Sequence, residues 1–119
     1  MARVYGVAVR VYSSFDSLVE ALSRARGLRL LYVETLPSIP RTAFALGELG
    51  GAAASMLAVE GEDHVVLKLL VYSLGEEGRG AAEKVAVLLD EVASLLGASI
   101  EVAAVAEGPR GLEELRAAG

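Results

Sequence analysis

From Arg3 to Tyr12 the odd positions Tyr5, Val7, Val9 and Val11 are apolar, while the even ones include Gly6 and Arg10. That period of two in a valine-rich run predicts a half-buried strand. The period then changes. Phe15, Leu18, Val19, Leu22 and Ala25 recur every three or four residues after Ser13 and Ser14, which offer hydroxyl acceptors to free helix N–H groups. Asp16 suits the positive end of a helix, and Gly27 is placed to end it. Leu28 to Glu34 is a short apolar run closed by Pro37 and Pro40, which predicts a second strand. A right-handed crossover through the first helix sets the two strands parallel in one sheet.

The strongest pattern lies further on. His64 to Tyr72 carries Val65, Leu67, Leu69 and Val71 on one side and His64, Val66, Lys68, Leu70 and Tyr72 on the other. Two largely apolar faces predict a central strand. Ala81 to Leu96 follows as a helix with Val85, Leu88, Leu89 and Val92 among its inward positions, and Gly97 ends it. Ile100, Val102 and Ala104 alternate with Glu101 and Ala103 in a last strand, and Gly108-Pro109 opens a short tail helix containing Leu112 and Leu115.

Between these blocks, Arg41 to Glu60 fits two templates. Ala43, Phe44, Leu46, Leu49, Ala53, Met56 and Leu57 can share a helical face, and alanine with almost no β-branched residues favours helix, broken or kinked at Gly50-Gly51. Alternatively, Ala52 to Glu60 is a strand, hairpinned to the central strand through Gly61-Glu62-Asp63. With the helical reading, the chain is an α+β domain spanning residues 1–119, in which helices cover a single sheet. Its order is split β-α-β, ferredoxin-like, with a helical insert at about 41–59.

Composition narrows the function classes. The 119 residues contain no cysteine, which excludes disulfides, a thiol nucleophile and thiolate metal sites. Tryptophan, asparagine and glutamine are also absent, and arginine outnumbers lysine, a composition compatible with a thermophilic, archaeal-type source. A net charge of −5 argues against general nucleic-acid binding. The amino-terminal run lacks the features of a signal peptide, and Ala43 to Val59 is too interrupted to span a bilayer. A cytoplasmic protein with no membrane partner is expected.

Candidate chemistry is sparse. Gly75 to Gly80 sits between a strand and a helix, where backbone N–H groups can cradle phosphate, but Glu76 and Glu77 repel an anion and no phosphate-loop lysine follows. Glu62, Asp63 and His64 form a polar turn without a second histidine or a helical ligand pair. None of Ser13, Ser14, Ser38 and Ser73 has a nucleophile elbow around it. These features predict no catalytic residue, metal or cofactor. Arg24, Arg26 and Arg29, with Arg10 as a potential neighbour, complement a helix carboxyl end and are also candidate RNA-backbone contacts, though without aromatics for base stacking.

Leu30-Leu31-Tyr32-Val33-Glu34, Leu36-Pro37-Ser38, an Ala43-Phe44-Ala45-Leu46 helix and the stretch Met56 to Asp63 together resemble the PRPK-binding accessory subunit of the KEOPS tRNA-modification complex. The likeness extends over Leu28 to Ala106, and the family's middle helical block has no counterpart between Leu49 and Ser55. The resemblance implies a shortened, non-catalytic subunit that binds a kinase and helps to hold tRNA for threonylcarbamoyl-adenosine synthesis. Arg41 and Phe44 would be its helix-surface contacts.

The leading expectation is a non-catalytic subunit or scaffold acting through protein contacts, KEOPS-like in the first instance. The alternative is a ferredoxin-like regulatory module that binds a small molecule and works as a homodimer. An enzyme using Glu34, Arg41 or His64 is the third reading.

Overall fold

Val7, Val9 and Val11 all turn to one side of their strand and are buried there with Phe15, Leu18 and Leu22 of the first helix and Val85, Leu88 and Val92 of the second. This main core fixes the architecture of the computed structural model, which describes residues 3–73 and 80–107. The elements are β1 (Arg3–Val11), α1 (Phe15–Arg24), β2 (Leu28–Leu36), β3 (Thr42–Leu49), β4 (Ala52–Glu60), β5 (Val65–Ser73), α2 (Ala81–Leu96) and β6 (Ile100–Glu107). The strands make one six-stranded sheet in the order β2-β3-β4-β5-β1-β6, and every neighbouring pair is antiparallel. An α+β sheet carrying helices is therefore the fold, as the chain pattern predicts.

Two features of the expected order change. First, residues 41–59 are not a helical insert but the β3–β4 hairpin. Gly50 and Gly51 have φ of 55° and 88°, and Leu49 pairs with Ala52, so the two glycines make the two-residue turn that matches the twist of a hairpin. The strand alternative for Ala52–Glu60 is the observed one, with Glu60 paired to Val65 across the turn. Alanine is used here for space. Ala43, Ala45 and Ala58, with Met56, meet Val19 and Leu22 of α1 around a residual void of only about 20 Å³. Small side chains on β3 and β4 let the helix lie close to the sheet, and this tertiary demand overrides the helical preference of alanine.

Second, β1 and β2 run the same way in one sheet, as expected of the crossover, but β5, β4 and β3 separate them. The split β-α-β unit is β5-α2-β6, with β1 inserted between its strands.

Caps and bulges complete the local account. Ser14 Oγ accepts the Ser17 N–H at 3.2 Å to start α1, which ends at Arg24 with an extended Ala25, ahead of the predicted Gly27. Gly97, at φ 61°, ends α2 as predicted, and its N–H reaches the Ser94 carbonyl. The pairing of β1 with β6 shifts register between Ala8 and Val9, so Ala103 is an extra residue and the simple alternation predicted for the last strand breaks. Leu112, Leu115 and the predicted tail helix lie outside the described residues.

Candidate functional site

With both helices on one side, the other side of the sheet has no covering helix among the described residues. Side chains on that face follow from the register. One row across the sheet reads Leu36, Thr42, Val59, Val66, Arg10 and Glu101, and the next reads Glu34, Phe44, Leu57, Lys68, Ala8 and Ala104. A third reads Tyr32, Leu46, Ser55, Leu70, Gly6 and Ala106. Ala8 and Ala106, backed by Leu70 and Ala104, form a small second cluster on this face, separate from the main core. Over β2 to β5 the face stays open: Tyr32 is 50% exposed, Leu46 44%, Tyr72 40%, Phe44 37% and Leu57 36%. The apolar second face predicted for the central strand is real, but it borders this open surface instead of a second helical layer.

Polar groups punctuate the surface. Tyr32 Oη donates to Glu34 Oε2 at 2.8 Å, and the bond to that carboxylate, followed by its charge, raises the phenol above its usual range. Tyr72 Oη and Ser55 Oγ approach to 3.4 Å. Lys68 is half-buried between Leu57 and Ala8 and makes no hydrogen bond or ion pair with a described residue.

Phe44 lies at the centre of the open face, on a strand where a helix surface was expected. Arg41 has a different setting. Its guanidinium meets Glu60 at 2.9 Å and Asp16 at 3.0 Å and stacks over the Phe15 ring at 4.8 Å, while its carbonyl accepts the Glu60 N–H. It ties the start of β3 to the end of β4 and the first turn of α1. The hydrogen bond from Arg41 holds the Glu60 carboxyl below the usual carboxylate range. A depressed folded-state value adds stability above the unfolded value and loses it as pH falls through the folded one. Arg41→Ala is therefore expected to flatten the acid limb of a melting-temperature curve below about pH 4.5. An unchanged limb would show that the pair contributes nothing.

The three candidate RNA-contacting arginines are not brought to one face. Arg24 is on α1, 3.7 Å from Glu20. The Arg26 backbone N–H donates to Glu91 Oε1 at 2.8 Å. Arg29 projects from the helix-free side of β2 in register with Glu48, since its neighbours Leu28 and Leu30 face the core. Arg10 is four strands from Arg29, beside β6, and pairs with Glu101 at 2.6 Å.

His64 Nδ1 is 2.6 Å from Asp63 Oδ1, which lowers the Asp63 carboxyl through that hydrogen bond, and its ring tilts against Tyr12. The described residues contain no group of three or more metal-ligating side chains. Glu34 lies on the open face, so it does not join His64 and Arg41 in one constellation. Of the glycine-rich stretch Gly75 to Gly80, residues 75–79 lie outside the described residues. A groove of about 330 Å³ between α2 and the β3–β4 turn is lined by Leu49, Val87, Glu83 and Glu91, and is crossed by Lys84 Nζ donating to the Gly50 carbonyl at 2.9 Å. Its Lys84 and Glu91 are engaged in tying α2 to the β3–β4 turn and to Arg26.

No protein-family model matches the chain, and no curated protein sequence matches it. Among solved structures, the adenosylmethionine decarboxylase from Aquifex aeolicus VF5 is similar over 92% of this chain and 90% of its own, at 15% identity and a TM-score of 0.47. A conserved protein from Geobacillus kaustophilus is similar over 85% of this chain and 99% of its own, at 11% identity and a TM-score of 0.31.

The open apolar face was partly visible in the chain. Phe44 and Leu46, which the helical reading put on one face with Leu49 and Met56, are on it, whereas Leu49 and Met56 are core residues 2% and 3% exposed. Tyr32, Leu57 and Tyr72 were missed as surface contacts. The signal that finds them is a count of faces: once 41–59 is a hairpin, two helices remain among the described residues, each with one apolar stripe, and they cover one side of the sheet.

Proposed function

We propose that the chain is a non-catalytic protein-contact subunit whose working surface is the helix-free face of β2 to β5. The carrying observation is the exposure of Tyr32, Phe44, Leu46, Leu57 and Tyr72 together on one face of the sheet. Apolar side chains standing together on an uncovered sheet mark a protein interface, because water contact with that area is unfavourable and another apolar surface removes it. A kinase partner in a KEOPS-like assembly is one form of this function. Its support is the sequence likeness alone, since Arg41 and Phe44 do not share a helix.

Comparing wild type with Phe44→Asp in recovery from the native source tests the proposal. The wild type is expected to retain a defined partner or a second copy. The variant is expected to lose it while its melting temperature stays within about 5 °C, the range of a surface substitution. Equal retention by the variant would place the contact elsewhere.

A further inference from the structure

Resting on that reading, we infer that the occupant of the open face is a second copy of this chain. The copies pack sheet to sheet about a two-fold axis that runs along the strands between β3 and β4. The row Glu34, Phe44, Leu57, Lys68 belongs in turn to β2, β3, β4 and β5. Rotation about the stated axis exchanges β3 with β4 and β2 with β5 while keeping each row at its height. Glu34 then faces the partner's Lys68, and Phe44 faces the partner's Leu57. By symmetry each pairing occurs twice, as an isologous interface requires. The next row places Tyr32 against the partner's Leu70.

The other two-fold choices do less well. An axis between β4 and β5 faces Lys68 with Leu57 and leaves Glu34 over Ala104. An axis across the strands sets Lys68 against the partner copy's β5, whose positions on this face carry no acid. Only the β3/β4 axis gives the half-buried Lys68, which pairs with no described residue, an acid, and it does so while matching apolar positions around it. Sheets packed face to face cross at about 30°, which displaces positions one and a half strands from the axis by about 4 Å, within reach of glutamate and lysine side chains. The four-strand patch covers on the order of 500 Å² per copy in flat projection. Side chains standing off the pleat bring its accessible area towards the roughly 800 Å² per partner of a standard stable interface.

Sedimentation velocity on Glu34→Lys, Lys68→Glu and their equimolar mixture tests the arrangement. Wild type is expected to be a dimer. Each single variant puts like charges together twice and is expected to dissociate at least about tenfold more readily. In the mixture, a heterodimer of the two variants opposes lysine to glutamate at both positions, so dimer is expected to return. A monomeric wild type, single variants that dimerise like wild type, or a mixture that stays monomeric would each overturn the inference. The broader reading fails separately: it falls if Phe44→Asp changes neither dimerisation nor retention of any other protein. It survives a monomeric wild type that holds another protein and releases it on Phe44→Asp.

Discussion

Leu69→Ala is expected to lower stability by about 3 kcal/mol, read as a fall of roughly 10 °C or more in melting temperature. Leu69 is fully buried in β5, paired to Val7 on one side and Met56 on the other, beneath the helices. Truncation there removes apolar area from the core and leaves a cavity that two flanking strands, each hydrogen-bonded along its length, cannot collapse to fill. The adjacent Leu70 faces the other way. Leu70→Ala is expected to cost less than half as much in dilute solution, because its side chain is only half-buried on the open face. Denaturant titration of the two variants checks the contrast. Equal losses would mean that the open face is as tightly packed as the core.

The second large effect concerns a residue chosen for what it lacks. Gly47 lies in β3 opposite the β2 bulge, where pairing shifts between Leu30 and Tyr32. A Cβ at Gly47 would overlap the Arg29 carbonyl oxygen and stand 3.2 Å from its carbon and 3.3 Å from Leu30 Cα. These are backbone atoms, so no rotamer change relieves the overlap. Gly47→Ala is expected to destabilise by about 2 kcal/mol, whereas substitution of a glycine in an ordinary strand relieves backbone entropy and stabilises. Urea unfolding measures the difference, and a variant as stable as wild type would mean that the bulge reshapes at no cost.

How far the chain pattern reached can be judged from these same elements. β1, α1, β5 and α2 were legible because each carries one clear period and a large apolar payload, from Val7, Val9 and Val11 to Val85, Leu88 and Val92. β3 and β4 were not. Both faces of the hairpin are apolar, so the period-two signal of Ala43 and Ala45 against Phe44 and Leu46 is hidden. The inner face is alanine because α1 must come close, a demand made by residues far away in sequence. The Gly50-Gly51 pair held the contrary evidence, as a two-residue hairpin turn flanked by matched strands. The candidate site shared this fate. Glu34, Leu57 and Lys68 belong to three segments, and only the register aligns them into a row.

The place of β1 in the sheet has a consequence for the order in which the molecule can assemble. β2 to β5 are joined by short turns and can zip from neighbour to neighbour as the chain appears. β1 is made before all of them, yet its ladders are with β5, through pairs such as Val11 and Val65, and with β6, through Tyr5 and Glu107. Closing those loops is an entropic cost met before any reward. The earliest strand synthesised must therefore wait for the latest, and the α1 stripe with Phe15 and Leu18 stays without its full bed until then. A nascent chain arrested before Ser73 should lack the central core, and its first stable structure should come only as the β5 segment is released.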